Sequence, residues 1–204
     1  MLRARRAVLV SGGGTNLQAL IDAEKSGALH SGSISLVVSN KADAYALERA
    51  RAAGIPAVTI LRADCGGQQG FEEKLIALLE REKIDLVILA GFMSILSENF
   101  TRRFENRILN VHPSLIPSFC GKGFYGLHVH EAALAYGVKV TGATVHFVNE
   151  IPDGGRIILQ KAVDILPGDT PESLQKRVME QAEWKILPAA AEMVSAEIIK
   201  GKTE

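Results

Sequence analysis

Short apolar runs separated by stretches of helical spacing set the tightest limit on this chain's fold. Residues 7–10 (Ala-Val-Leu-Val), 34–38 (Ile-Ser-Leu-Val-Val) and 86–90 (Leu-Val-Ile-Leu-Ala) are almost free of polar side chains. Each is followed by a serine, an asparagine or a glycine that ends it. Strands apolar on both faces belong in a sheet covered on both sides, and such sheets are largely parallel. Between the runs, Leu17, Leu20 and Ile21, then Phe71, Leu75, Leu78 and Leu79, recur at helical spacing. Residues 44–53 read as a further helix stopped by Gly54, and 56–60 as a third strand. Ser97 is placed to cap a short helix over 100–104. The expectation is an α/β fold: a mostly parallel central sheet with helices on both faces.

The second half reads differently. Residues 107–111 form a strand, and 117–127 form a glycine- and aromatic-containing loop without helical period. A helix over 128–136 ends at Gly137. Strands over 138–148 and 156–165 are joined by a turn at 149–155. A helical pattern then runs from Pro171 almost to the C-terminus, and Pro188 should kink or split it. No repeat or linker is visible, so residues 1–204 read as one domain, with halves at about 1–105 and 106–204.

Composition narrows the class. Basic and acidic residues number 23 each, and a nucleic-acid binder ordinarily carries a basic surplus. No stretch approaches the roughly 18 apolar residues of a membrane span. The basic start at 1–6 is followed by only four apolar residues, too few for a signal-peptide core. Cys65 and Cys120 have no metal-binding spacing. These features predict a cytoplasmic protein acting on small molecules, with neither nucleic acid nor membrane as partner. Monomer and homodimer are equally compatible.

The chemistry concentrates at three strand ends: 11–16, 91–96 and 110–114. In doubly covered sheets, ligands collect outside the carboxyl ends of the strands. Ser11-Gly12-Gly13-Gly14-Thr15-Asn16 joins a strand to a helix, where glycines allow a tight turn and the helix start favours an anion. Leu17 sits where a dinucleotide fingerprint needs its third glycine, and no Lys-Ser/Thr pair follows. A single phosphate group fits this loop, as does a plain turn in which Thr15 or Asn16 caps the helix.

In Asn110-Val111-His112-Pro113-Ser114, strand alternation puts Asn110 and His112 on one face and Val111 on the other. Pro113 cannot continue the ladder. His146 would share a face with Thr144 and stand behind the reacting groups. His128 and His130 flank a helix start, where capping is the simpler reading, and no carboxylate or thiol cluster accompanies them to make a metal site. Asp153, ahead of Gly154 and Gly155, reads by itself as a turn aspartate. Together with Asn110 and His112 it suits attack of an amine on a carbonyl carbon.

Five segments then become recognisable in order: Ser11–Asn16, Ser39-Asn-Lys-Ala-Asp-Ala44, Leu89-Ala-Gly-Phe-Met93, Leu109-Asn-Val-His-Pro-Ser-Leu115 and Asp153-Gly-Gly155. Together they closely resemble the phosphoribosylglycinamide formyltransferase family, folate-dependent enzymes of purine biosynthesis, over nearly the whole chain. The resemblance implies a Rossmann-like formyltransferase fold. It implies transfer of formyl from 10-formyltetrahydrofolate, without a metal, to the glycinamide amine of phosphoribosylglycinamide. It makes Asn110, His112 and Asp153 catalytic. Gly14, Thr15, Asn16 and Glu183 would hold the ribonucleotide, making the first half a nucleotide-binding half. Gln68, Met93, Ser94, Ile95, Leu96, Asn110, Val148, Asn149, Glu150, Ile151, Pro152 and Asp153 would line the folate site, completed by the second half.

In that chemistry Asn110 and His112, the latter as imidazolium, would stabilise charge on the formyl oxygen. Asp153 would raise the imidazole's pKa and help move the amine's proton. Ser94 and Gln68 stand where several relatives carry basic residues near the folate tail. Trp184 replaces a histidine, and the loop over 118–127 is longer than in some relatives. The alternatives are a formyltetrahydrofolate hydrolase and a non-catalytic nucleotide-binding module. The module leaves Asn110, His112 and Asp153 together without a reason.

Overall fold

In the computed structural model, which describes residues 2–203, the apolar runs become strands and the periodic stretches become helices. In chain order these are β1 (Ala4–Val10), α1 (Thr15–Lys25), β2 (Gly32–Ser39), α2 (Tyr45–Ala52), β3 (Ala57–Thr59), α3 (Gln68–Arg81) and β4 (Leu86–Leu89). Then follow α4 (Glu98–Arg103), β5 (Ile108–His112), α5 (Leu127–Tyr136), β6 (Val140–Phe147), β7 (Ile157–Asp164), α6 (Pro171–Val178) and α7 (Trp184–Thr203). One seven-stranded sheet runs through both halves in the order β3-β2-β1-β4-β5-β6-β7. The first five are parallel, and β6 and β7 are antiparallel additions.

Strand alternation divides the apolar side chains between two cores. Val8, Val10, Leu86, Ile88, Leu109 and Val111 face α1 and α7, meeting Leu17, Leu20, Leu187 and Ala190. Ala7, Leu9, Val87, Leu89 and Ile108 face α3 and α4, meeting Phe71, Leu75, Leu79 and Phe100. Leu86, Val87 and Ile88 are fully buried, and each such side chain contributes about 1.5–3 kcal/mol. Ser97 does cap α4, its side chain accepting the Phe100 N–H at 3.3 Å.

Apart from shifts of one or two residues, two boundaries depart from the sequence reading. β1 starts three residues before the apolar run, because Arg6 is buried yet well paired. Its guanidinium donates to Glu192 Oε2 at 3.0 Å, Ser195 Oγ at 2.9 Å and the Gly32 carbonyl at 3.2 Å, fastening α7 to the sheet. The C-terminal helical pattern is split, but at a π-helical turn over Met179–Glu183. Pro188 itself lies inside α7, near its start.

The parallel strands open their carboxyl ends along one edge, so the loops after β1, β4 and β5 share it. Because β6 runs antiparallel to β5, pairing Leu109 with Phe147 and His112 with Thr144, the turn after β6 begins at the far end of β5. That turn must fold back over the sheet face to reach the site. Gly154 and Gly155 allow this. A Cβ on Gly154 would lie 2.6 Å from Ile151 Cγ2, and one on Gly155 would lie 1.7 Å from the Phe147 carbonyl oxygen.

Candidate active site

The loop after β1 is shaped by Gly14. Its φ of +73° is a left-handed conformation, and an added Cβ would sit 2.6 Å from Ala46 Cβ. Ala46 N–H donates to the Gly12 carbonyl at 3.0 Å, and Arg49 Nε donates to the Gly13 carbonyl at 2.8 Å. Gly14 is itself the helix cap, without a side-chain bond. Neither Thr15 nor Asn16 caps α1. Asn16 instead donates from Nδ2 to Glu183 Oε2 at 2.7 Å, while Thr15 Oγ1 lies 3.8 Å from Met179 Sδ. Among the described residues Asn16 Oδ1 is buried without a partner, an acceptor open to a ligand.

At the end of β5 the three expected catalytic residues converge. Asn110 and His112 share a face, as strand alternation requires. His112 Nδ1 lies 3.6 Å from Asp153 Oδ2, and Asn110 Nδ2 lies 3.5 Å from Asp153 Oδ1. The loop after β5 supplies two more contacts. Gly121 N–H donates to Asp153 Oδ2 at 2.8 Å, and His112 Nε2 meets the Phe119 carbonyl oxygen at 2.8 Å. His146, register partner of Asn110, touches both Asn110 (Nε2 to Nδ2, 3.2 Å) and Asp153 (3.5 Å). Asp153 holds a left-handed φ of 56°, an unfavourable conformation for a non-glycine residue, maintained by these contacts.

Burial and hydrogen bonding act differently on each group. Burial alone would raise the Asp153 carboxyl, but His146, the charge of His112 and the Gly121 N–H together hold it below the usual carboxylate range. Burial is the largest influence on His112 and pulls it below its ordinary value, against the raising effects of Asp153 and the Phe119 carbonyl. The resting ring, whose charge the sequence leaves open, is therefore biased toward the neutral form. Its Nε2–H rests on the Phe119 carbonyl. Glu183 is fully buried, and burial pushes it up to about 7, opposed only by the Asn16 amide.

These corners share a cavity of about 820 Å³. Asn16, Met93, Ser94, Ile95, Leu96, Asn110, His112, the residues 148–153 and Glu183 all line it. Gly14, Thr15 and Gln68 do not appear on its wall. Gln68 donates its amide to the Ile95 carbonyl at 3.0 Å and to Glu72, bracing the wall from behind. Ser94 accepts from Asn40 Nδ2 at 2.8 Å, and Ser11 Oγ accepts the Met93 N–H at 2.8 Å, joining the loops after β1, β2 and β4. Among the described residues, no group of three or more His, Cys, Asp or Glu side chains is placed to hold one metal ion.

The cavity also contains residues that sequence reasoning passed over. His130, read there as a helix-capping residue, lies inside α5 and is fully buried, and among the described residues both its ring nitrogens are unpartnered. Burial, reinforced by His112, lowers its pKa to about 4. Its one sequence signal was a polar residue on the face that Val129 and Ala133 help to bury. His128, by contrast, is exposed and pairs with Glu131 at 2.9 Å. Lys122 and Gln175 join the wall from the loop after β5 and from α6.

Comparison with known proteins agrees with this geometry. The formyl transferase family profile matches residues 4–191. A phosphoribosylglycinamide formyltransferase of Haemophilus influenzae is 45% identical over 182 residues, covering 89% of this chain and 82% of that protein. The human trifunctional purine biosynthetic protein adenosine-3 is 47% identical over 194 residues, covering 95% of this chain, which spans only 18% of that much longer protein. The crystal structure of glycinamide ribonucleotide transformylase 1 from Symbiobacterium toebii superposes with a TM-score of 0.89 at 43% identity, covering 96% of this chain and 89% of that one. Sheet order, converging side chains and these likenesses together establish that the chain belongs to the formyl transferase family.

Proposed function

We propose that this protein transfers the formyl group of 10-formyltetrahydrofolate to the amine of phosphoribosylglycinamide, a step of purine biosynthesis. The observation that carries the reading is the convergence of Asn110, His112 and Asp153 in one cavity that reaches the Asn16–Glu183 corner behind the glycine loop. The activity named for its relatives supports it. The two halves of the chain would act as one catalytic unit, the first holding the ribonucleotide and the second completing the folate site. The reaction would run in the cytoplasm, a setting supported by two cysteines, Cys65 and Cys120, that remain unpaired.

In this reading the ribonucleotide phosphate lies on the loop after β1, where the first turn of α1 leaves backbone N–H groups without helical partners. Asn16 Oδ1 and the Glu183 carboxyl address the ribose hydroxyls. The apolar wall of Met93, Ile95, Leu96, Val148 and Ile151 takes the folate ring system. The neutral amine then attacks the formyl carbon, and negative charge develops on the formyl oxygen. Two donors address that oxygen. The Asn110 Nδ2–H aimed at Asp153, with nitrogen and oxygen 3.5 Å apart, is only weakly held, and the His112 Nε2–H exchanges the Phe119 carbonyl for the formyl oxygen. Asp153, ionised, accepts the proton shed by the amine and returns one to the departing folate nitrogen, directly or through water. No bond to the protein forms.

The test is turnover of 10-formyl-5,8-dideazafolate, followed by absorbance, with and without phosphoribosylglycinamide. Turnover that requires the ribonucleotide is expected. Turnover without it would replace the reading by hydrolysis, and none under either condition would leave a binding module.

A further inference from the structure

We propose that Lys122 binds an anionic oxygen group of a substrate, either the ribonucleotide phosphate or a folate glutamyl carboxylate. The proposal rests on the formyl-transfer reading, because both substrates there are anions. Among the described residues lining the cavity, Lys122 is the only lysine or arginine. The other formal charges on the wall, Glu150, Asp153 and Glu183, are carboxyls, which disfavour an anionic guest wherever they are ionised. The nearby guanidinium of Arg49 is already bonded to the Gly13 carbonyl and to Gln18 Oε1. Gln68, at the expected tail end of the folate site, has its amide on Ile95 and Glu72. Lys122 is exposed, and among the described residues its ammonium has no hydrogen-bond or ion-pair partner.

The backbone is arranged to present it. Gly121 and Gly123 hold φ values of +86° and +94°, left-handed conformations on both sides of the lysine. An added Cβ at either would meet nothing within 4 Å, so the backbone conformation, not crowding, calls for glycine there. The Gly121 N–H is fixed to Asp153 Oδ2 at 2.8 Å, placing the Lys122 backbone one residue from the proposed proton carrier. A flexible cation on a backbone anchored at the site can follow an anion into the cavity and release it afterwards.

The test uses the full chain with Lys122→Met and Lys122→Arg. Steady-state kinetics with phosphoribosylglycinamide and 10-formyl-5,8-dideazafolate should show KM for one substrate rising about tenfold in Lys122→Met, as expected for a lost charge-assisted contact, with kcat little changed. Lys122→Arg should retain most of the affinity. Two further arms identify the anion: the unphosphorylated glycinamide riboside, and a donor lacking the glutamyl group. The difference between wild type and Lys122→Met should vanish for the substrate whose anion has been removed. Calorimetric binding of each substrate alone separates this proposal from the reaction itself. The formyl-transfer reading fails if the wild type does not turn over. The role of Lys122 fails if Lys122→Met binds both substrates as tightly as wild type.

Discussion

Asp153 and Glu183 are carboxyls in the same cavity, and their surroundings shift them in opposite directions. Asp153 is held below the usual range by His146, His112 and a backbone N–H. Glu183 is buried more completely, has one amide donor and is pushed up to about 7. The difference shows that burial alone does not set the charge of an acid. The number and kind of donors decide whether desolvation wins. In the proposed reaction it would divide the labour of the site: an ionised group beside the proton to be moved, and one about half protonated near pH 7 beside the ribose hydroxyls.

The largest effect should come from breaking the ionised side. Asp153→Asn keeps the shape but removes the proposed base, and kcat should fall roughly 10³-fold while KM for both substrates stays within a few-fold. Near-normal turnover would remove Asp153 from the chemistry.

Changing the neutral side should act on binding and stability instead. The folded-state pKa of Glu183 is raised to about 7, above its ordinary 4.5, so the stability it contributes is present below about 4.5 and lost as pH rises through about 7. In that window the unfolded chain gives up a proton that the folded chain keeps. Glu183→Gln should therefore be more stable than wild type at pH 8, by up to about 3 kcal/mol. The difference should disappear near pH 4.5, as read by urea unfolding at both pH values, and ribonucleotide affinity should weaken. An equal difference at both pH values would mean that Glu183 does not titrate as described.

A smaller change should separate the corners by geometry alone. Gly14→Ala forces a Cβ against Ala46 and a side chain into a left-handed backbone. It should cost about 2 kcal/mol of stability and raise the ribonucleotide KM, with the folate KM unchanged. Parallel loss in both KM values would show that the two corners are not independent.

Much of this was legible before the structure. The cores on both sheet faces follow from runs such as 86–90, and the shared face of Asn110 and His112 follows from strand period alone. Asp153 was visible as chemistry only through its company, since a lone Asp-Gly-Gly is a turn. What stayed hidden depends on contacts between distant segments. The loop over 118–127 has no periodicity, so neither the Phe119 carbonyl on His112 nor the lysine between two left-handed glycines could be placed. The neutral bias of His112 needed its burial to be known, because pairing with Asp153 alone argues for the opposite. The family resemblance put Gln68 on the folate wall, whereas its amide turns to Glu72 and the Ile95 carbonyl.

The opposite shifts of the two carboxyls can be measured directly by pH titration of the protein with ¹³C-labelled aspartate and glutamate side chains, followed by NMR. The Asp153 resonance should titrate below its ordinary 3.8, and the Glu183 resonance should titrate near 7. Titration of Glu183 near 4.5, or of Asp153 above 3.8, would contradict the account.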